Sequence, residues 1–325
     1  MDILYLNRSQ IESMRIPVKE VIEAVEEGFT LKGEGMVQLP RKPEVHPRED
    51  CYIHAMPSFI SGIADTAGIK WVSRYPSNPE KGLPLIMGLI ILNDAETGVP
   101  LAVMDAGWIT AYRTGAATAI TANKLAPKGA STLSIIGLGV QARTQLIALR
   151  ETMKGLRNIR VFDIIPDHSR KFLEEMQRKA PELEIEIFSD PESATRGSDI
   201  VVTCTPIRRE PERFIPAEWL KKDVLAISVD YDSAFEASVM TEASFFTTDD
   251  RAQYLWMKEG GAYFSEYPSE VLADMGEICA GKMEAPQNGG RRAAVLIGLA
   301  SHDLVTARVI YDKACRIGIG TILEF

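Results

Sequence analysis

Residues 132–142 read TLSIIGLGVQA, and this stretch decides the fold. Its apolar beginning predicts a buried strand, and VQARTQLIALRETM predicts the helix that follows. Gly137, Gly139 and Ala142 form the pattern G-x-G-x-x-A at the turn. The first glycine permits a sharp bend, the second admits a pyrophosphate, and the small third residue lets the helix pack against the strand. The pattern is weak alone, but between a strand and a helix it predicts a dinucleotide-binding turn.

The sequence after this turn alternates between strands and helices. The predicted strands are IRVFDI, EIEIFS, DIVVTCT, VLAISVD and ASFFTTDD, and helical segments separate the first of them. This alternation is typical of a parallel sheet with helices on both faces. We therefore predict the α/β class, with a Rossmann-type doubly wound parallel sheet.

The two ends of the chain predict a second, α+β domain. Residues 16–29 carry apolar residues at helical spacing, and four strands follow, the last two joined by the hairpin loop AETG. A further helix is predicted from Thr110, with PKGAS after it as a linker. The final segment, SHDLVTARVIYDKACRIG, predicts an amphipathic helix capped by Ser301 and ended by Gly318. This last helix could fold back onto the first strands.

Composition narrows the classes of function. The chain has 325 residues, a length natural for two domains, and its net charge of -9 leaves no basic surplus for nucleic acid or an anionic membrane. Its four cysteines are scattered without a metal-ligand spacing, so we expect no metal and reduced thiols in the cytoplasm. The opening MDILYLNRSQ lacks the pattern of a signal peptide, and the longest apolar runs are too short to cross a bilayer.

Two polar features follow predicted strands of the parallel sheet. Asp163 ends the strand after the glycine turn, where a carboxylate accepts hydrogen bonds from ribose hydroxyls and repels a 2′-phosphate. This favours NAD over NADP, although Arg170 argues the other way, and a polar strand end without function is the alternative. TCTP, residues 203–206, lies where a nicotinamide ribose would pass, or is a simple exit into a turn.

Three charged residues suggest a substrate site. Lys70 lies in a predicted strand, where a lysine more often points outward into solvent, and Arg113 lies on a helix of small residues. A guanidinium can bind a carboxylate with two parallel bonds. Asp230 ends the strand in AISVDYDS, with Asp232 as a competitor. A dinucleotide pocket, two cations and an aspartate together suggest hydride transfer at the carbon of an amino or imino acid.

Longer motifs resemble a known family. GIKWVSRYPSNPEKGLP, ILNDAETGVPLAVMDAGWITAYRTGAATAI and IIGLGVQARTQ resemble the ornithine cyclodeaminase/mu-crystallin family, and DIVVTCTP, AISVD and LASHDLVTARVIYDKACRIGIG continue the match along nearly the whole chain. The resemblance implies a substrate-binding and dimerisation domain of residues 1–118 plus 300–325, a NAD-binding Rossmann domain of residues 119–299, and a homodimer. The family includes ornithine cyclodeaminases, alanine dehydrogenases, ketimine reductases and the NADPH-binding mu-crystallins.

The resemblance also implies roles for individual residues. Asp230 and Lys70 are the implied catalytic residues, with Asp230 as the acid and base. Arg113 is implied to clamp the substrate carboxylate, with Lys70 beside it and Arg41 assisting. The implied cofactor-binding residues are Thr114, Gly137, Gly139, Val140, Gln141, Ala142, Asp163, Thr203, Thr205 and Val229.

The implied reaction moves a hydride between NAD and the α carbon of a small L-amino acid or its imine. Water then hydrolyses the imine in a dehydrogenase, whereas a side-chain amine attacks it in a cyclodeaminase. Two departures argue against ornithine: His54 stands where cyclodeaminases carry an acid, and Ser228 stands where the family often has glycine. The alternative from another class is a non-catalytic NAD(P)H- and small-ligand-binding protein of the mu-crystallin type.

Overall fold

The structure is a computed structural model that describes residues 2–62, 65–286 and 289–324. It divides the chain into two compact units. Unit 1 combines the residues up to Arg113 with those from Gly298 onward, and unit 2 runs from Thr114 to Ile297. Both ends of the chain therefore belong to the same unit.

The described elements are numbered in chain order. The strands are β1 (Asp2–Leu6), β2 (Val37–Gln38), β3 (Glu44–Val45), β4 (Tyr52–Ile60), β5 (Thr66–Arg74), β6 (Ile86–Asp94), β7 (Pro100–Asp105), β8 (Thr132–Ile136), β9 (Asn158–Phe162), β10 (Glu184–Ile187), β11 (Ile200–Thr203), β12 (Leu225–Ser228), β13 (Phe245–Thr248), β14 (Arg292–Val295) and β15 (Thr321–Glu324). The helices are α1 (Arg8–Ser13), α2 (Val18–Gly33), α3 (Ala106–Leu125), α4 (Val140–Thr152), α5 (Pro166–Lys179), α6 (Pro191–Thr195), α7 (Ala237–Thr241), α8 (Arg251–Glu259), α9 (Met275–Cys279) and α10 (Ala300–Ile317).

Unit 1 is built on a mixed sheet with the strand order β15-β1-β7-β6-β5-β4-β2, and β3 also pairs with β4. Strands β4 to β7 form an antiparallel meander, in which Met56 of β4 lies opposite Lys70 of β5. The predicted long strands and their hairpin are thus confirmed. The sequence does not predict β1 and β15, because both depend on partners that are distant along the chain: β1 pairs with β7 and with β15.

The C-terminal helix α10 packs against α2 and against strands β4, β5 and β6 of unit 1. Its buried side includes Leu304, Ala307 and Ile310, at the spacing of one helix face. The prediction of Ser301 as its cap is wrong, because the helix begins at Ala300 and Ser301 lies buried inside its first turn. The predicted end is confirmed: Gly318 has a φ of 70° and its N–H bonds to the Ala314 carbonyl.

Unit 2 is built on a sheet of seven strands in the order β10-β9-β8-β11-β12-β14-β13. All of its strand pairs are parallel. The strand order reverses between β8 and β11, which is the switch point where doubly wound sheets bind their ligands. The predicted Rossmann-type sheet is confirmed. Strand β14 is not predicted because it begins with Arg292, whose side chain is buried and donates from Nε to the Leu125 carbonyl at 3.0 Å.

Two further findings concern the helices and the cysteines. Within the described ranges, no helix combines the length and the apolar character that a bilayer crossing needs. Cys51, Cys204, Cys279 and Cys315 all fall in those ranges, and they form no disulfide with one another.

Candidate functional site

The glycine turn of unit 2 joins β8 to α4. Gly137 has a φ of 87°, and a Cβ there would lie 2.9 Å from the backbone carbonyl of Cys204, so only glycine fits. Gly139 precedes α4, and a Cβ at this position would meet no described atom within 4 Å. Packing therefore does not require the second glycine. The open space beside its backbone suits the close approach of a ligand phosphate.

The first turn of α4 also suits a phosphate. No side chain in the described part of the chain caps this helix end, so its first backbone N–H groups remain for a ligand. Val140 is 67% exposed, Gln141 is half-buried, and Ala142 is buried where the helix packs against the sheet. The predicted cofactor-binding residues of this turn thus supply donors and room, and they fit a dinucleotide.

Asp163 lies directly after β9 and holds the glycine turn in place. Its Oδ2 accepts the N–H of Leu138 at 2.7 Å, and its Oδ1 accepts the N–H of Ile165 at 2.8 Å. His168 Nδ1 also lies 3.3 Å from Oδ1, so Oδ2 is the oxygen that keeps a second lone pair for another donor, such as a hydroxyl. Arg170, the cation that argued for NADP, pairs with Asp167 at 3.1 Å on the exposed surface of α5.

Asp230 lies just beyond β12 and is 1% exposed. Its Oδ1 accepts the Thr203 hydroxyl at 2.6 Å, and its Oδ2 accepts both the N–H of Thr205, at 2.9 Å, and the Thr205 hydroxyl. The Ser228 hydroxyl lies 2.9 Å from Oδ1. Half-buried Val229 links the same strands, since its N–H bonds to the Thr203 carbonyl at 3.0 Å. The structure thus gathers the predicted acid and the predicted threonines at the carboxyl edge of the sheet.

The surroundings of Asp230 raise its pKa, which shifts the carboxyl group towards its neutral form. Burial raises the pKa of Asp230 above its usual value, although the hydroxyl and N–H donors of Thr203 and Thr205 oppose the shift. Its competitor, Asp232, instead forms an ion pair with Arg213 at 2.8 Å and accepts the N–H of Phe264 at 3.0 Å. The carboxylate of Asp232 is thus held in an ion pair, whereas the described partners of Asp230 are uncharged donors, so the geometry distinguishes the two acids.

Unit 1 buries Lys70 and Arg113 around a shared carboxylate. Lys70 Nζ lies 2.6 Å from Asp303 Oδ2, and Arg113 Nε lies 2.9 Å from Asp303 Oδ1. Gly298 has a φ of 80°, and a Cβ there would lie 2.7 Å from Arg113 Nη1, so this glycine makes room for the guanidinium. Lys42 donates to the Gly298 carbonyl at 2.6 Å. The structure therefore brings together two of the three predicted substrate-binding cations, Lys70 and Arg113.

Asp303 is the residue of this cluster that the sequence analysis missed. It lies in the run SHD at the start of α10, where Ser301, His302 and Asp303 are all fully buried. A charged residue on the apolar side of an amphipathic helix is the signal that could have found it, since buried charges are paired.

Burial and the charges of the cluster shift the pKa values of Lys70, Asp303 and His302. Burial lowers the pKa of Lys70 to about 7, against the opposing attraction of Asp303. Burial favours the neutral form of Asp303, but Arg113 and Lys70 outweigh it and hold the pKa of Asp303 below its usual value. Burial, helped by Arg113, lowers the pKa of His302 to about 3, so this ring is neutral. When Lys70 is protonated, the cluster carries one net positive charge, enough for one carboxylate.

His54 lies two residues from Met56, so both occupy the face of β4 that carries Lys70 on β5. Its Nε2 lies 2.6 Å from Oε2 of Glu44, and His46 Nε2 lies 3.2 Å from Oε1 of the same carboxylate. Burial lowers the pKa of His54, against the hydrogen bond that its ring donates to Glu44. The carboxyl group near this face is therefore that of Glu44 on β3, which is hydrogen-bonded to His54.

Two further predicted site residues belong to other segments of the chain. Arg41 is exposed, in the segment between β2 and β3. Thr114, the first residue of unit 2, is buried within α3.

Three similar proteins place this architecture in context. The alanine dehydrogenase of Archaeoglobus fulgidus (strain ATCC 49558 / DSM 4304 / JCM 9628 / NBRC 100126 / VC-16) is 34% identical over 336 residues, covering 100% of this chain and 99% of that protein. A solved archaeal alanine dehydrogenase dimer with bound NAD superimposes with a TM-score of 0.87 at 32% identity, covering 100% of both chains. The Thermococcus litoralis Δ1-pyrroline-2-carboxylate reductase, in complex with NADH and L-proline, gives a TM-score of 0.86 at 33% identity, covering 98% of this chain and 99% of that one.

The match to a family extends along almost the entire chain. Residues 2–317 match the family described as ornithine cyclodeaminase/mu-crystallin. The lysine and arginine motifs, the glycine turn and the C-terminal helix all fall within that range. This chain belongs to the ornithine cyclodeaminase/mu-crystallin family.

Proposed function

We propose that this protein is a NAD-dependent enzyme that transfers a hydride to or from the α carbon of a small L-amino acid or its imine. The observation that carries the proposal lies in unit 2. Gly137 of the phosphate-binding turn packs against the backbone of Cys204 and Thr205, and Thr205 bonds directly to buried Asp230. A proton-transfer group is thus built into the same edge of the sheet as the dinucleotide turn.

The dinucleotide supplies the hydride chemistry when it is bound. Gly137, Gly139, Val140, Gln141 and Ala142 would hold its phosphates, and Thr114, Thr203, Thr205 and Val229 complete the proposed cofactor-binding set. The two solved relatives support this role, since the archaeal alanine dehydrogenase carries NAD and the Thermococcus reductase carries NADH.

We favour NAD over NADP because of Asp163. Its Oδ2 keeps a lone pair for a ribose hydroxyl, and the carboxylate would repel a 2′-phosphate. The cation that could neutralise such a phosphate, Arg170, is already paired with Asp167.

The substrate carboxylate is the proposed ligand of unit 1. Arg113 uses its Nε on Asp303 and has further N–H donors for a carboxylate, and protonated Lys70 adds a second cation. Arg41 is proposed to assist from the exposed segment before β3. A solved relative with L-proline, an α-amino acid, supports a ligand of this class.

Asp230 is the proposed acid and base. In its neutral form it can give a proton to the nitrogen or oxygen formed at the reacting carbon, and as a carboxylate it can take one from water that attacks an imine. Burial raises the pKa of Asp230 above its usual value, which is the direction that an acid and base working near neutral pH requires. Lys70 is proposed as a second catalytic residue beside the substrate carboxylate.

Unit 1 is proposed to be the substrate-binding and dimerisation domain, and unit 2 the NAD-binding domain. The sheet of unit 1 exposes Trp71, Leu89 and Ile91, whose alternation places them on one face. We propose that a second copy of the chain covers this face in a cytoplasmic homodimer. Sedimentation should show a dimer for the wild type and a monomer for Leu89→Asp; a wild-type monomer would overturn this part of the proposal.

Absorbance at 340 nm tests the enzyme activity. The protein is mixed with NAD⁺ and a panel of L-amino acids, and then with NADH and pyruvate plus ammonia or cyclic imines. A net change marks a dehydrogenase or reductase, and ammonia release from ornithine or lysine without net NADH marks a cyclodeaminase. Tight NADH binding without turnover on any substrate would overturn the proposal.

A further inference from the structure

Ser228 ends β12 with a fully buried hydroxyl that contacts two acceptors. Its Oγ lies 2.9 Å from Asp230 Oδ1, and it also bonds to the backbone carbonyl of Tyr231. Tyr231 has a φ of 63°, a left-handed conformation that bends the chain directly after Asp230. The serine therefore connects the carboxyl group to the turn that follows it.

A hydroxyl has one proton, so Ser228 cannot donate to both acceptors together. When it donates to Asp230, it suits the carboxylate form. When it donates to the Tyr231 carbonyl, its lone pairs face Asp230 Oδ1 and can accept a proton from the neutral acid. Rotation about the Cβ–Oγ bond of Ser228 converts the first arrangement into the second, and no other heavy atom has to move.

The other donors around Asp230 favour one form only. The N–H of Thr205 can never accept a hydrogen bond. Among the described residues, the hydroxyls of Thr203 and Thr205 each donate to Asp230 and to no second acceptor. Ser228 differs because its hydroxyl can donate to a second acceptor, the Tyr231 carbonyl.

We infer that Ser228 is a positioning residue that lets Asp230 alternate between its carboxylate and neutral forms without rearrangement of the site. The inference rests on the proposed function, in which Asp230 exchanges a proton with the substrate in each turnover. The titratable groups that interact with Asp230 are the thiol of Cys204 and the phenol of Tyr267; burial raises the pKa of each, so both remain neutral in the pH range of the test. The exchanged proton leaves or joins Asp230 Oδ1, and the O–H bond of Ser228 only rotates.

Replacement of the serine tests this inference. In Ser228→Ala the neutral acid loses its acceptor and the Tyr231 carbonyl loses its donor, whereas the carboxylate loses one donor only. As a donor alone, Ser228 favours the carboxylate and lowers the pKa of Asp230. The carboxylate, however, keeps three other donors in the variant, from Thr203 and Thr205. The neutral acid loses the one described hydroxyl that can accept its proton while donating elsewhere, so the neutral form loses more. We expect the kcat transition of Asp230 to move to lower pH by roughly half to one pH unit, the effect of about one hydrogen bond. We also expect kcat to fall about tenfold and the Kd for NADH to stay unchanged.

Three further variants make the test specific. Ser228→Gly also removes the hydroxyl, so it should give the same shift and serves if the alanine variant does not fold. Ser228→Thr retains a hydroxyl and should restore the wild-type pH profile. Ser134→Ala is the matched control, because Ser134 is a fully buried strand serine of unit 2 without a hydrogen-bond partner among the described residues, and its profile should not move.

The outcomes separate this inference from the proposed function. A pH profile of Ser228→Ala or Ser228→Gly that coincides with the wild-type profile overturns the role of Ser228, and so does a shift to higher pH, which the loss of a simple donor would give. If Asp230→Asn is inactive in the same experiment, the proposed function survives that result. If Asp230→Asn retains full turnover, the acid and base assignment itself is wrong.

Discussion

Two aspartates, Asp303 in unit 1 and Asp230 in unit 2, are buried to the same degree in opposite surroundings. Asp303 is 0% exposed and contacts two cations, whereas Asp230 is 1% exposed and contacts hydroxyl and N–H groups without charge. Their pKa values consequently move in opposite directions, down for Asp303 and up for Asp230. Burial alone does not decide the state of a carboxyl group; its partners do.

The difference separates a fixed charge from a changeable one. Asp303 remains a carboxylate because neutralising it would leave Lys70 and Arg113 buried without a counterion. Hydroxyl and N–H groups surround Asp230 in place of cations, so its pKa is raised, which is the direction that a general acid and base requires. We therefore expect Asp303 to matter chiefly for folding and for the arrangement of the cations, and Asp230 for turnover.

The largest expected effect is the loss of turnover in Asp230→Asn. The amide retains the shape of the side chain but cannot exchange a proton, so kcat should fall by roughly 10²- to 10⁴-fold. Steady-state kinetics measure this fall, and NADH fluorescence and the melting temperature should stay near their wild-type values. A variant that fails to fold would show that Asp230 resembles Asp303 and remove the contrast.

Asp303→Asn, in contrast to Asp230→Asn, should lower the stability of the protein. It leaves two cations buried around a neutral amide, and we expect unit 1 to lose about 3–5 kcal/mol of stability, measured by denaturant unfolding. Asp312→Asn is the matched control on the same helix, because Asp312 forms an exposed pair with Arg308. That control should cost less than about 1 kcal/mol. Equal losses in both variants would contradict the special role of the buried cluster.

Arg113→Lys sharpens the comparison within the cluster. A lysine keeps the charge but loses the planar fork that can bond Asp303 and a carboxylate together. We expect KM for the substrate to rise about 10- to 100-fold, the value of one or two charge-assisted bonds, with little change in Kd for NADH. An unchanged KM would show that the substrate carboxylate binds elsewhere.

The smallest expected effect is a pH dependence of kcat/KM. The pKa of Lys70 is lowered to about 7, so the lysine is charged below that pH and increasingly neutral above it. Carboxylate binding should weaken as the pH rises, and kcat/KM should fall by up to about tenfold in total above pH 7, because Arg113 remains charged and still binds the carboxylate. Lys70→Arg stays charged and should flatten this limb. A wild-type profile that is flat from pH 6 to 9 would contradict the assignment.

Much of the fold follows from local pattern. The glycine turn, the alternation after it and the antiparallel meander before it are confirmed, because each depends on residues close in sequence. Strands β1, β14 and β15 are not predicted, because long-range pairing and the buried Arg292 create them. Ser301 fails as a cap for a related reason: the start of α10 is set by packing and not by side-chain capping.

The candidate site shows the same division. Sequence pattern identifies Lys70, Arg113 and Asp230 as unusual for their neighbourhoods, but it gives no means to pair Arg113 with Asp303, since 190 positions separate them. It also cannot show that Thr203 and Thr205 bind Asp230, because adjacent parallel strands bring them together.

The sequence by itself determined the class of the sheet, the glycine turn and the types of charged side chain available to the candidate site, since these depend on periodicity and on short motifs. Only the tertiary structure decided which carboxyl group meets cations and which meets hydroxyls. The electrostatic energy of a buried group depends on the few ångströms around it, and in this chain those surroundings come from segments far apart in sequence.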